Sequence, residues 1–254
     1  MEVFHVKTSI FLIQEPKDSI LEKKYEELNL LTETSNYVES LQKAFYLDEE
    51  ASDSKNLFLK FKIKSLFAKI YRKNNDHIKA IANYKKSLKL LNDFLFEDDG
   101  IVFTKQKYLA KTLLNIGTQF QLLKKYDSAV FYYKKLDDII NNENEVLDYK
   151  AISYANLSGI YQFDTTYSDH LNKALHYANK AISIHKTRGN KINQAYAINN
   201  LANIYLLNDN FEQSKKFYFE GIKLIKRDSS PRAVNIKENL YFNMAWAMRN
   251  LKEY

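Results

Sequence analysis

The segment Asn200-Leu201-Ala202-Asn203-Ile204-Tyr205 places a small residue, Ala202, three positions before an aromatic one, Tyr205. Ser214 and Tyr218 follow Ala202 at offsets of twelve and sixteen residues. The same offsets return, in full or in part, in copies that open at four further small residues: Ala68, Gly117, Ser158 (with four inserted residues) and Ala245. A pattern that recurs in this way along a chain indicates a repeat architecture.

The spacing within each copy is typical of two packed helices. A small residue at the crossing point lets two helix backbones approach closely, and an aromatic residue three positions later fills the groove beside it. The second half of each full copy repeats the arrangement with Ala80, Ala129, Ala174 and Ser214. A single helix pair cannot bury its apolar face alone, so we expect neighbouring pairs to stack.

These residues resemble the tetratricopeptide repeat family, in which small and aromatic residues alternate at this spacing. The resemblance implies an all-α fold, a right-handed superhelical solenoid of antiparallel helix pairs. The repeats here are long: successive turn positions are about 40 to 49 residues apart, against a family period of about 34. The extended form resembles repeats in bacterial signalling proteins, including Rap-type regulators and the sensor regions of histidine kinases and helix-turn-helix regulators.

We interpret residues 1–254 as one solenoid domain. A degenerate N-terminal pair occupies 20–48, with Leu28 at the crossing point, as is typical of end repeats. Four repeats follow, at 55–96, 104–140, 145–187 and 191–226. The last repeat, 231–254, is incomplete and stops at a helix–helix turn, which predicts a longer parent protein. The apolar face left without its second helix makes this C-terminal end a candidate homodimer interface.

Composition agrees with a helical protein. The chain has 254 residues, 45% of them hydrophobic, with five glycines, two prolines and no cysteine. So few turn residues disfavour strands and long loops, and the lack of cysteine excludes disulfides and thiolate metal sites. No segment has the roughly 18 consecutive apolar residues of a membrane span. No export signal is visible, so we expect no membrane insertion in this segment and favour a cytoplasmic location.

The net charge of +7 and the pI near 9.1 raise the question of nucleic-acid binding. The lysines, however, are spread over all the repeats and are interleaved with acidic residues. That distribution favours a solvated outer surface over a binding patch. We therefore expect no nucleic acid to be bound directly by this region.

An asparagine lies two positions before the small residue in four successive copies, at Asn115, Asn156, Asn200 and Asn243. The family resemblance implies that the first helices line the concave surface and that these side chains form a ladder along a bound peptide. A side-chain amide both donates and accepts hydrogen bonds, so it can pair with a peptide backbone of any sequence. The alternative is that these asparagines bridge neighbouring helices.

Four more residues fall on the same predicted surface. Lys111 lies one turn before Asn115, and the pair resembles part of the family's clamp for a peptide C-terminus, although the remainder of that clamp is missing. Tyr196 and Asn239 occupy the positions equivalent to Lys111 in later copies, and Trp246 lies near the end of the last helix. We include all four in the predicted ligand-binding groove.

The sequence predicts no enzyme and no cofactor. It contains no glycine-rich phosphate loop, zinc-binding His-Glu motif or nucleophile elbow, and no catalytic or metal-binding residue is assigned. The first hypothesis is a non-catalytic module that binds a protein or peptide, as the sensory or regulatory region of a bacterial signalling protein. A self-associating scaffold is the alternative. A Rap-type regulator that acts on a response regulator is a third.

Overall fold

The computed structural model describes residues 16–34, 36–93, 99–139, 144–166 and 169–252. All regular secondary structure in these ranges is helical. The helices are α1 (Pro16–Thr34), α2 (Tyr37–Glu50), α3 (Leu57–Lys73), α4 (His77–Asp93), α5 (Asp99–Leu122), α6 (Tyr126–Asp137), α7 (Asn144–Phe163), α8 (His170–Thr187), α9 (Lys191–Leu207), α10 (Phe211–Ile225) and α11 (Pro231–Asn250). The predicted all-α fold of antiparallel helix pairs is confirmed.

The chain divides into two compact units, Met1–Lys105 and Gln106–Tyr254. In the first unit α1 packs on α2 and α3 packs on α4, and α3 also contacts both helices of the preceding pair. Ion pairs from Lys69 and Lys73 on α3 to Glu33 at the end of α1 join the two first helices. Hydrogen bonds from both lysines lower the pKa of the Glu33 carboxyl to about 2.

The second unit repeats this arrangement. Its α7 packs on α8 and α9 packs on α10, while the first helices α7, α9 and α11 also contact one another in succession. The aromatic rings predicted to fill the grooves stack within the pairs, as Tyr205 does on Phe217 at 5.4 Å between centroids. The first helices of successive pairs therefore form one continuous layer within this unit. The interpretation of residues 1–254 as a single domain stays a prediction.

Small residues lie at the predicted helix crossings. Ala68, Ser158 and Ala202 are fully buried. At Gly117 an added Cβ would lie only 2.6 Å from Cε1 of Tyr133, so no other residue fits without a shift. The exception is Ala245, which is exposed because no second helix packs against α11 in the described part of the chain.

Three of the turns inside the pairs share one backbone conformation. Asn75, Lys124 and Asp209 each lie two positions before the first residue of the second helix, with φ between 55° and 59°. In each turn the following amide donates to a carbonyl five residues earlier, as Lys125 N does to Phe120 O at 2.9 Å. This is the left-handed helix-ending motif that normally selects glycine. The turns are thus alike although their sequences differ.

Several boundaries differ from the sequence interpretation. The first pair runs from Pro16 to Glu50, beyond the predicted 20–48, and the first helix of the third pair begins at Asp99, ahead of the predicted 104. The last helix ends at Asn250, and Tyr254, which we interpret as a turn aromatic, lies outside the described residues. Of the described helices, none is both long enough and apolar enough to cross a membrane.

Candidate functional site

The second unit contains a cavity of about 410 Å³ on the layer formed by its first helices. Each of α5, α7, α8, α9 and α11 contributes to its wall. The lining residues are Thr118, Ile152, Ala155, Asn156, His185, Asn193, Tyr196, Arg232, Asn235 and Ile236. We call this the amide cavity, because three of its ten lining residues are asparagines.

The wall of the amide cavity combines mainly apolar surface with amide groups and one permanent positive charge. Its asparagines can both donate and accept hydrogen bonds. Tyr196, 37% exposed, offers an aromatic face and a hydroxyl, and Ile152 and Ile236 add apolar surface. No carboxylate lies among the lining residues. Such a wall offers a ligand apolar contact surface together with a few hydrogen-bonding groups.

Arg232 stands at one side of the cavity. Its Nη2 donates to Oδ1 of Asn193 at 2.6 Å, which ties the start of α11 to the start of α9. No ion pair joins Arg232 to a carboxylate among the described residues, whereas the nearby Arg188 pairs with Asp148 at 3.3 Å. The Arg232 guanidinium therefore keeps hydrogen-bonding capacity toward the cavity, since a guanidinium has five N–H donors.

His185 lies on another side of the cavity wall and is only 1% exposed. Its Nδ1 is buried without a hydrogen-bond partner among the described residues. Burial, together with the charge of Arg232, lowers the pKa of the imidazole to about 4, although Asp148 acts in the opposite direction. His185 is therefore neutral near pH 7. A buried ring nitrogen without a partner is uncommon in a folded protein.

The structure places Asn156 in the cavity wall, but its amide also has an internal role. Its Nδ2 donates to the hydroxyl of Tyr133 on α6 at 3.0 Å. The same hydroxyl donates to Oε1 of Gln121 at 2.7 Å, and burial raises the pKa of Tyr133. Asn156 thus bridges one helix pair to the next.

The next two asparagines of the ladder also bridge helices. Asn200 is only 6% exposed, and its Nδ2 donates to the carbonyl of Ala155 on α7 at 2.9 Å. Asn243 donates to Oδ1 of Asn203 at 3.1 Å and to Oδ1 of Asn199 at 3.4 Å, both on α9. Neither Asn200 nor Asn243 lines the amide cavity. The bridging alternative therefore describes the contacts of these side chains, and a role in ligand binding stays a prediction.

The other predicted groove residues are dispersed. Tyr196 lines the cavity, whereas Asn239 is not a lining residue and donates from its Nδ2 to Oδ1 of the lining residue Asn235 at 3.3 Å. Asn115, Lys111 and Trp246 are not among the lining residues. Trp246 is 58% exposed on α11. The structure therefore brings Asn156 and Tyr196 together at the amide cavity and leaves the other members of the predicted groove outside its lining.

Five polar or charged lining residues were absent from the prediction: Thr118, His185, Asn193, Arg232 and Asn235. Helical spacing was the signal that could have found some of them. Asn193 lies one turn before Tyr196, and Arg232 and Asn235 precede Asn239 at helical intervals. Residues three or four positions apart on a helix share a face. His185 had no such signal, because it belongs to a second helix.

Comparisons with known proteins show similarity in structure and not in sequence. No family model matches the chain, and no curated protein matches its sequence. The crystal structure of BtubC (BKLC) from P. vanneervenii is 15% identical with a TM-score of 0.65, covering 92% of this chain and 85% of that one.

Two further similar structures belong to proteins that are described with a peptide or a peptide-binding site. YrrB, described as a TPR protein with an unusual peptide-binding site, is 15% identical with a TM-score of 0.51, covering 88% of this chain and 98% of that one. The Rap conjugation gene regulator of plasmid pLS20, in complex with the Phr* peptide, is 15% identical with a TM-score of 0.56 and coverages of 96% and 70%. At this identity the similarity establishes the fold alone, and the chain has a tetratricopeptide-repeat-like fold.

Proposed function

We propose that this chain is a non-catalytic module that binds an extended peptide segment of a partner protein in the amide cavity. The observation that carries the proposal is the composition of the cavity wall. Asn156, Asn193 and Asn235 come from three successive first helices and present amides to one cavity. Amides placed in this way can pair with the N–H and C=O groups of a peptide whatever its side chains.

The similar structures support the choice of a peptide over other ligands. The Rap regulator was solved in complex with a peptide, and YrrB is described by its peptide-binding site. On the same ground we propose that the module serves a regulatory role in a signalling protein. No catalytic step is part of the proposal.

Selection of short random peptides on the purified chain tests this function. The cavity variant carries Tyr196→Ala and Asn235→Ala, two substitutions of lining side chains that are not buried. The control variant carries Tyr241→Ala, which alters a 51% exposed aromatic outside the lining. We expect selected peptides to bind the cavity variant at least about tenfold more weakly than the wild type. Failure to enrich any peptide, or equal binding by both variants, would refute the proposal.

A second candidate function is self-association through α11. Tyr241, Phe242 and Trp246 on this helix are 51%, 74% and 58% exposed. Exposed aromatic side chains grouped on one helix are typical of interaction surfaces. Light scattering on the wild type and on a Phe242→Ser/Trp246→Ser variant tests this candidate. A concentration-dependent dimer that the double substitution abolishes supports it, and a wild type that is monomeric at all concentrations rules it out.

A further inference from the structure

We infer that the amide cavity binds a carboxylate of its peptide ligand at Arg232, and that this binding is accompanied by uptake of a proton at His185. The inference rests on the proposed function and adds two elements to it. It assigns an acidic residue to the ligand, and it makes binding depend on pH.

The charge of the cavity supports a carboxylate. Among the described residues that line the cavity, Arg232 alone has a permanent charge and none is acidic. Its one described hydrogen bond, to Asn193, holds the guanidinium in place beside the cavity. A carboxylate can accept two parallel hydrogen bonds from a guanidinium, and such pairs are stronger than bonds between neutral groups.

His185 supplies the second, independent observation. Its side chain is almost fully buried and lies in the wall of the same cavity. Its Nδ1 has no hydrogen-bond partner among the described residues. A buried polar atom without a partner costs free energy in a folded protein.

The two residues are coupled through electrostatics. In the free protein the charge of Arg232 opposes protonation of His185. A carboxylate bound at Arg232 adds a negative charge that offsets the effect of the guanidinium on the ring, and this favours the imidazolium. By linkage, a ligand that raises the proton affinity of His185 binds more tightly as the pH falls.

The other groups around His185 do not cancel this effect. On α7, Asp148 acts on His185, but this carboxylate is already paired with Arg188 at the end of α8. From α11 His185 faces Arg232. The lining residues from α9 and α5, namely Asn193, Tyr196 and Thr118, carry no permanent charge. Binding of the ligand therefore adds one charge to the cavity, that of the ligand carboxylate.

Two blocked pentapeptides test the inference, one with a central glutamate between alanines and one with glutamine in its place. Binding is followed by the histidine Cε1–H resonances in NMR spectra at about pH 5.5 and about pH 7.5, with His185 recognised by its low pKa. We expect the glutamate peptide to bind about fourfold more tightly at the lower pH. It should also raise the pKa of His185. The glutamine peptide should do neither.

Variants separate the two residues. Arg232→Gln should reduce the affinity for the glutamate peptide to that for the glutamine peptide, whereas the control Arg227→Gln, an exposed arginine outside the lining, should bind like the wild type. His185→Gln should bind the glutamate peptide equally at both pH values. If His185→Gln does not fold, the pKa of His185 in the wild type with and without the peptide decides the question.

Three results would overturn the inference. The first is equal binding of the two peptides, which would show that the cavity does not recognise the carboxylate although it still binds peptides. The second is binding of the glutamate peptide with no change in the pKa of His185. The third is no binding of either peptide, while peptides from the random library still bind in the cavity without an acidic residue. The proposed function fails separately, when no library peptide depends on Tyr196 and Asn235.

Discussion

Asn156 on α7 donates a hydrogen bond from Nδ2 to the hydroxyl of Tyr133 on α6, at 3.0 Å. The two residues occupy different positions of the repeat. Asn156 is the first-helix asparagine of one pair, and Tyr133 is the second-helix tyrosine of the preceding pair. The Tyr133 side chain is fully buried. A hydrogen bond between neighbouring pairs contributes to the interface on which the stability of stacked repeats depends.

The pairing of Asn156 with Tyr133 can be measured by a double-mutant cycle. Asn156→Ala and Tyr133→Phe should each lower the free energy of unfolding by about 1 to 2 kcal/mol, because each removes a buried hydrogen bond. Together they should cost less than the sum, with a coupling of about 0.5 to 1.5 kcal/mol. Urea unfolding gives the free energy of unfolding of the wild type, the two single variants and the double variant. Tyr218→Phe, whose hydroxyl bonds to Asn203 instead, is the control and should be additive with Asn156→Ala.

The contact between Gly117 and Tyr133 leads to a second prediction. Gly117→Ala places a methyl group 2.6 Å from Cε1 of a fully buried ring. Overpacking of this kind costs about 1 to 3 kcal/mol, and thermal unfolding should show a lower melting temperature. The matched control is Gly159→Ala, also within a helix, where the nearest atom to the added Cβ is Asn200 Nδ2 at 4.0 Å. That change should stabilise the protein by about 0.5 to 1 kcal/mol.

The left-handed turn residues predict a stabilising change. Lys124 has φ of 57° in the turn between α5 and α6. An L residue in this conformation costs about 1 to 2 kcal/mol that glycine does not. Lys124→Gly should therefore raise the midpoint of chemical unfolding. Lys125→Gly, one position later with φ of −88°, should lower it, and the opposite ranking of the two variants would contradict the described turn.

Stability in acid depends on His185. Its pKa of about 4 in the folded protein lies below the unfolded value of about 6.5. The unfolded state therefore binds more protons between these values, so stability is present above about pH 6.5 and is lost as the pH falls toward 4. The loss is on the order of 2 to 3 kcal/mol.

Urea unfolding of the wild type and of His185→Gln at several pH values measures this contribution. The variant should lose less stability over the same interval, because its side chain does not titrate. His176→Gln is the control, since His176 lies on the same helix with its ring against Tyr177, and it should keep the wild-type pH dependence. Identical curves for the wild type and His185→Gln would show that His185 does not account for the acid sensitivity.

Local sequence determined the helices and their pairing. Ala68, Gly117, Ser158 and Ala202 recur at helical offsets from aromatic residues, and each is buried where two helices cross. The turns were predictable in position for the same reason, because His77, Tyr126 and Phe211 each begin a second helix. These features depend on side-chain size and on spacings of three or four residues, both of which can be seen in the sequence.

Only the tertiary structure decided what each asparagine contacts. Asn156 and Asn200 occupy the same place in successive repeats, yet Asn156 bonds to Tyr133, whereas Asn200 bonds to the backbone of Ala155. The residue equivalent to Tyr133 in the next pair is Ala178, which has no hydroxyl to offer. The direction of an amide thus depends on a neighbour that the spacing of its own helix does not reveal.

The sequence predicted only some of the residues that line the amide cavity. Tyr196 and Asn156 were predicted because they lie on first helices at repeat positions, and Asn193, Asn235 and Arg232 share those faces. His185 reaches the cavity from the end of a second helix, α8, where the repeat pattern places no ligand-binding residue. Its burial follows from the packing of α8 against α7 and α9, which involves residues far apart in the sequence.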